Sequence, residues 1–350
     1  MATAFAAGEA PGIAQLGFDD ESVPPWIMVP AEPDAQKRVV VLKDGAGLAL
    51  QLRAAAGSAN PSGILRFQEQ THPSGRGIVL APIAPGTVFL DAKDQTGGVR
   101  ASLEITVKAR KTLKTAMFRI SDKVGRRPSR PANDIEQQIV IANKLLVPQI
   151  NVRIAPFFHR GLQMQFEMPT GMPTIYPPFR QANSWDRNTP GPLACVSSRP
   201  PGPFADCVLE DRLIPPMRGP EDLDAMRRTQ MLINIVFFVD PSMDYNIFHV
   251  KVLDQHPGDS QGRLTGFTAG FTPNKVDGAA INACFVQDSA LTGQTIAHEL
   301  SHFLTSPRPA FLDQDGHSTK RGDLLFRTPG PQDIKIPKQQ ANLMNRSGVP

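Results

Sequence analysis

Proline supplies 34 of the 350 residues, about twice the usual share. Each one removes a backbone donor and locks φ, so a helical bundle is excluded and a chain of short strands and ordered loops is favoured. The first hundred residues read that way. Leu48, Leu50 and Leu52 alternate with Ala49 and Gln51, and Ala101, Leu103, Ile105 and Val107 alternate with Ser102, Glu104, Thr106 and Lys108. A period of two puts one face in a core and the other in water. Asp44-Gly45, Pro73-Ser74-Gly75, Pro85-Gly86 and Gly97-Gly98 supply the turns between runs. A small β-sandwich is expected over residues 1–112.

Lys108, Arg110, Lys111 and Lys114 follow, read as a solvated linker. Residues 113–350 mix helix and strand, so the fold class expected is α+β. Ala116–Ile120 reads as a strand. Ile135, Ile139, Ala142 and Leu146 fall on one helical face, with Pro148 as the stop. Ile150, Val152 and Ile154 alternate as the next strand. Leu232–Val239 suits a buried strand, and Ile281–Val286 is another. Ahead of both, about 168–220 forms a proline-rich insertion carrying Trp185.

Composition excludes several classes. Hydrophobic residues are 41%, enough for a sizeable core, and charged residues are 20% with a net charge of +4. That argues against a dedicated nucleic-acid binder. No apolar run reaches the roughly 18 residues of a membrane span. Three cysteines, Cys195, Cys207 and Cys284, make no disulfide framework. The first residues lack a basic region followed by an apolar one. A cytoplasmic location, or export by a signal-less route, is therefore expected. Oligomeric state is not legible.

The chemistry concentrates at His298-Glu299-Leu300-Ser301-His302. On a helix, positions i and i+4 share a face, so both imidazoles can reach one Zn2+ ion, and Glu299 beside them can take a proton from zinc-activated water. Ile296, Leu300, Phe303 and Leu304 form the apolar stripe that fixes this helix, and Pro307 and Pro309 end it. A catalytic zinc site wants a third protein ligand. No glutamate occurs after His302, which leaves His317, Asp313, Asp315, Asp323 and Asp333. His317 is the only histidine beyond the helix. Asp313 or Asp315 stands second to it.

Two resemblances extend this reading. GTVFLDAKDQTGGVRASLEITVK resembles the last strands of bacterial immunoglobulin-like modules. The run from His317-Ser318 to Leu324-Leu325-Phe326 resembles the segment carrying the third histidine of matrix-metalloproteinase-type metzincins. Gln332 to Leu343 is similar to their terminal helix. This resemblance implies a zinc endopeptidase acting on a protein or peptide substrate, with one catalytic Zn2+ held by His298, His302 and His317 and Glu299 as general base. It implies a Met-turn position at Leu325, with Met344 the other candidate. It also implies that Gly266, Phe267, Thr268 and Ala269 form an edge strand that pairs with extended substrate. His159 or His249 could assist at the oxyanion, whereas Cys284 reads as a buried small hydrophobe.

The departures are specific. Metzincins place the third histidine six residues after the second with a glycine between; here His317 is 15 residues after His302, and Thr305 stands at the glycine position. The longer loop costs about 1 kcal/mol of closure entropy. Two alternatives use the same residues: a zinc-binding adhesion protein without catalysis, and a metal-dependent amidase acting on cell-wall material.

Overall fold

The structure is a computed structural model, which describes residues 4–7, 18–32, 38–57, 60–121, 129–163, 242–250, 266–270, 282–287, 293–305, 309–313, 316–326 and 333–346. It is a mixed α+β protein, mostly strands with few helices among the described residues. Contacts divide it into two units: Met1–Leu113 with Val140–Ile154 and Arg308–Pro350, and Lys114–Ile139 with Ala155–Pro307. No described helix is long and apolar enough to cross a membrane.

The described residues of the first unit form nine strands up to Lys108: β1 (Ala4–Ala7), β2 (Phe18–Asp19), β3 (Trp26–Pro30), β4 (Arg38–Lys43), β5 (Ala49–Ala54), β6 (Leu65–His72), β7 (Gly75–Pro82), β8 (Gly86–Lys93) and β9 (Val99–Lys108). They make two sheets, ordered β1-β4-β7-β6 and β2-β3-β9-β8-β5. All of their pairings are antiparallel except that β3 runs parallel to β9. The expected alternation explains why they face each other. Val40, Leu42, Ile78 and Leu80 of one sheet and Val88, Leu90, Leu103 and Ile105 of the other share one buried core. Each such side chain contributes about 1.5–3 kcal/mol by leaving water. Gly75 opens β7 with φ 146°, and a Cβ there would stand 2.5 Å from the Leu42 carbonyl oxygen. Only glycine fits that turn.

The basic segment read as a linker is instead structured. Lys108 ends β9, and β10 (Lys111–Ser121) begins after two residues. The Arg110 N–H donates to Glu32, and the Lys111 N–H to the Asn151 carbonyl at 3.0 Å. Partnered backbone groups, which a charge count does not register, hold this corner.

Helix α1 (Ala132–Ile150) buries Ile135, Ile139, Ala142 and Leu146 along one face, as the periodicity predicts. Pro148 does not stop it, and Ile150 belongs to the helix rather than to the next strand, β11 (Val152–Gln163). A proline in the last turn removes only one ladder bond. The Asn151 N–H still reaches the Val147 carbonyl at 3.0 Å, and the Gln149 side-chain amide donates to the Leu145 carbonyl at 2.9 Å. Asn151 then turns the chain with φ 53°.

Gln149 and Asn151 are fully buried and tie distant segments together. Asn151 Nδ2 donates to Glu32 at 2.6 Å and to the Lys108 carbonyl at 2.7 Å. Gln149 donates to the Ile334 carbonyl and accepts from the Ile336 N–H, both at 2.8 Å. Residues 333–336 are therefore extended, and the terminal helix expected from Gln332 starts only at Lys338. Gln332 itself lies outside the described residues. Asp19 Oδ2 accepts the first N–H of that helix, from Lys338, at 3.0 Å, where Pro337 offers no cap.

The second unit centres on a five-stranded sheet. To β10 and β11 it adds β12 (Tyr245–Val250), β13 (Gly266–Gly270) and β14 (Asn282–Gln287), in the order β11-β10-β12-β14-β13. β10, β12 and β14 run parallel, and β13 is an antiparallel edge. The strand expected over Ala116–Ile120 lengthens to Lys111–Ser121, and that over Ile281–Val286 shifts by one residue. Leu232–Val239, Cys195, Cys207 and the proline-rich insertion lie outside the described residues. Helix α2 (Gly293–Leu304) packs on β13 and β14. The terminal helix α3 spans Lys338–Met344.

Candidate metal centre

α2 takes its orientation from its apolar stripe. Ile296, Leu300 and Leu304 are fully buried, and Phe303 stacks on Tyr245 of β12 with centroids 5.2 Å apart. Thr305 Oγ1 donates to the Ser301 carbonyl at 2.8 Å, which also accepts the Thr305 N–H, and reaches the terminal His302 carbonyl at 3.2 Å. Among the described non-glycine residues only Asp44 and Asn151 have positive φ. Thr305 therefore leaves the helix without the left-handed backbone a glycine would supply.

His298 and His302 sit one turn apart with Nε2 atoms 3.1 Å from each other and rings at 78°. Two nitrogens on one tetrahedral ion at 2.0–2.1 Å are separated by about 3.3 Å, so this pair is already spaced for a shared ion. Glu299 is 5% exposed, as is His298.

His317 joins them. One ligand nitrogen from each of His298, His302 and His317 lies within 4.8 Å of the others. The trio can hold a metal ion. A compact turn presents His317. Its N–H donates to Asp313 Oδ1 at 2.9 Å, and its carbonyl accepts the Asp313 N–H at 2.8 Å. Gly316 at φ 83° permits the turn.

The other sequence candidates fall elsewhere. Asp313 braces the turn and is not part of the trio, with Oδ1 4.0 Å from His317 Nδ1. Asp315 lies outside the described residues. Asp323 and Asp333 are buried, and each accepts a local hydrogen bond: Asp323 from Ser318 Oγ at 2.6 Å, Asp333 from the Gly322 N–H at 2.6 Å. Leu325 is fully buried, and its carbonyl accepts the Ser318 N–H at 2.8 Å. Met344 is buried in α3. Gly266, Phe267, Thr268 and Ala269 form β13, at the sheet edge. His249 is buried in β12, and His159 lies on β11.

Cys284 is a buried residue of β14, as expected of a small hydrophobe. Burial pushes its thiol well above the ordinary range. A hydrogen bond with Tyr245 opposes the shift, and the negative charge of Glu299 adds to it. The braces at Asp313, Ser318 and Asp323 carry no motif of their own. Their one sequence signal is a short polar residue at turn spacing on either side of His317.

No family model and no curated protein matches the chain. Among solved structures, the chain is similar to metalloproteinase-II from Bacteroides fragilis at 10% identity and a TM-score of 0.32, over 91% of this chain and 84% of that one.

Proposed function

We propose that this chain is a zinc-dependent metalloendopeptidase of metzincin-like architecture, carrying an immunoglobulin-like β-module. The observation that carries the reading is the convergence of three imidazole nitrogens within 4.8 Å, with Glu299 next to His298 on one helix. The fit is chemical as well as spatial. Neutral imidazoles are zinc's common nitrogen ligands, and three of them leave its charge undiminished and a coordination position open. An ion held there supplies Lewis acidity, polarising a carbonyl and acidifying water.

The chain's own groups do the rest. His298 and His302 would hold the ion from one helix, and His317 from the braced turn. Glu299, one residue from the first ligand, takes the proton of the attacking water and returns it to the leaving amine. Among the described strands β13 is the last of its sheet, and one row of its backbone groups is not used by β14. An extended peptide adding there, along Gly266 to Ala269, would lie antiparallel or parallel to β13 and bring a scissile bond toward α2. Leu325 supports the floor of the site as a near-isovolume replacement for methionine.

The test is Glu299→Ala in zinc-loaded protein. Hydrolysis of a peptide library should fall to background while elemental analysis still finds one zinc per chain. Undiminished cleavage by that variant refutes the mechanism.

A further inference from the structure

His317 is clamped from both sides, and only the upstream clamp, Asp313, belongs to the turn itself. Downstream, Ser318 Oγ donates to Asp323 Oδ2 at 2.6 Å and accepts the Lys320 N–H at 3.2 Å. The Ser318 N–H is bonded to the Leu325 carbonyl at 2.8 Å, and the Phe326 N–H to the Asp323 carbonyl at 3.0 Å. Ser318 and Phe326 form a parallel bridge, as do Asp323 and Lys335. Through Lys335 the segment reaches Ile334 and Ile336, which Gln149 holds.

Asp323 is an expensive residue for packing alone. It is 3% exposed, its neighbours Leu324 and Leu325 are fully buried, and its Oδ1 is buried with no hydrogen-bond partner among the described residues. A buried carboxylate with one oxygen unmatched costs stability. An apolar side chain would fill the same space without that cost. What Asp323 supplies, and an apolar residue cannot, is the acceptor for the Ser318 hydroxyl, one residue from His317.

We propose that Asp323, acting through Ser318, is a positioning residue: it fixes the backbone at His317–Ser318, and with it the His317 ring, before metal arrives. The inference rests on the reading of the trio as a zinc site. Partners one step removed from the ligands hold ligand rings in place in metal sites generally, and losing one costs about 10–100-fold in metal affinity.

The experiment measures Zn2+ affinity by chelator competition, and the visible absorption of the Co2+ form, on wild type and on Asp323→Ala, Asp323→Asn, Ser318→Ala, the Ser318→Ala/Asp323→Ala double variant and His317→Ala. Asp323→Ala and Ser318→Ala should each weaken Zn2+ binding about 10–100-fold and alter the Co2+ spectrum. Asp323→Asn keeps an oxygen acceptor and should stay near wild type. The double variant should be no worse than the poorer single, because both cut one link. If Asp323→Ala folds poorly, Ser318→Ala removes the same bond with a smaller change. Wild-type affinity and spectrum in Asp323→Ala and Ser318→Ala, beside a large loss in His317→Ala, overturn the proposal and leave the zinc site standing. Equal losses in Asp323→Asn and Asp323→Ala, tracking a lowered melting temperature, make Asp323 merely structural and overturn it too. No loss in His317→Ala removes the trio itself, and the brace with it.

Discussion

Gln149 offers the sharpest stability test, because one side chain satisfies three backbone groups from two segments. It is fully buried, donates to the Leu145 and Ile334 carbonyls at 2.9 and 2.8 Å, and accepts the Ile336 N–H at 2.8 Å. Ile336 is 1% exposed, so water cannot replace the lost acceptor. Gln149→Ala removes bonds worth about 0.5–1.5 kcal/mol each and leaves a buried N–H that costs about 1–3 kcal/mol. The rotamer freedom that glutamine loses on folding, and alanine does not, offsets part of this. A net loss of about 2–4 kcal/mol is expected. Gln149→Leu should do no better, because it keeps the volume and strips every polar contact. Urea unfolding gives the total, and hydrogen exchange at the Ile336 amide gives the local part: protection should fall by roughly 30- to 1,000-fold, at about 1.4 kcal/mol per tenfold. A change below about 0.5 kcal/mol in both variants, the usual range for a surface substitution, would show that the C-terminal segment does not depend on this tie.

Two further outcomes follow from the sandwich. Burial alone would raise the Asp91 carboxyl, but the Arg53 and Ser102 hydrogen bonds and the charges of Arg53 and Lys93 outweigh it and hold the group below the usual range. That stability is present above the unfolded value of 3.8 and is lost as pH falls through the lower folded value; Asp91→Asn should therefore flatten the acid limb of a stability-against-pH curve from urea unfolding, and an unchanged limb counts against the linkage. The Trp26 indole donates to Thr106 Oγ1 at 2.9 Å inside the protein. Thr106→Val strands that N–H and should cost about 1–3 kcal/mol, read by urea unfolding; a neutral substitution would mean the indole finds another acceptor.

Much of the architecture was legible because period two and period 3.6 are local. The face of α1 through Ile135, Ile139, Ala142 and Leu146 and the inward row of β9 both follow from spacing alone. So does the placement of His298 and His302 on one helical face with Glu299 between them. Element ends were less legible. α1 runs through Pro148 because a neighbouring amide and the Asn151 N–H keep its last carbonyls partnered, and residues 333–336 are extended because Gln149, distant in sequence, claims Ile334 and Ile336. Propensity weighs neighbours along the chain and has no access to such partners.

The sequence by itself determined the helical His-Glu-x-x-His pair, the β-rich N-terminal third, and the short list of residues that could join the pair. It put His317 first in that list but could not place it, since a 15-residue separation between His302 and His317 leaves the returning path open. Tertiary structure supplied the end of that path. Hydrogen bonds to Asp313, Asp323 and the Leu325 carbonyl hold His317 and Ser318 in place and occupy the two aspartates as braces, while one nitrogen of His317 lies within 4.8 Å of those of His298 and His302.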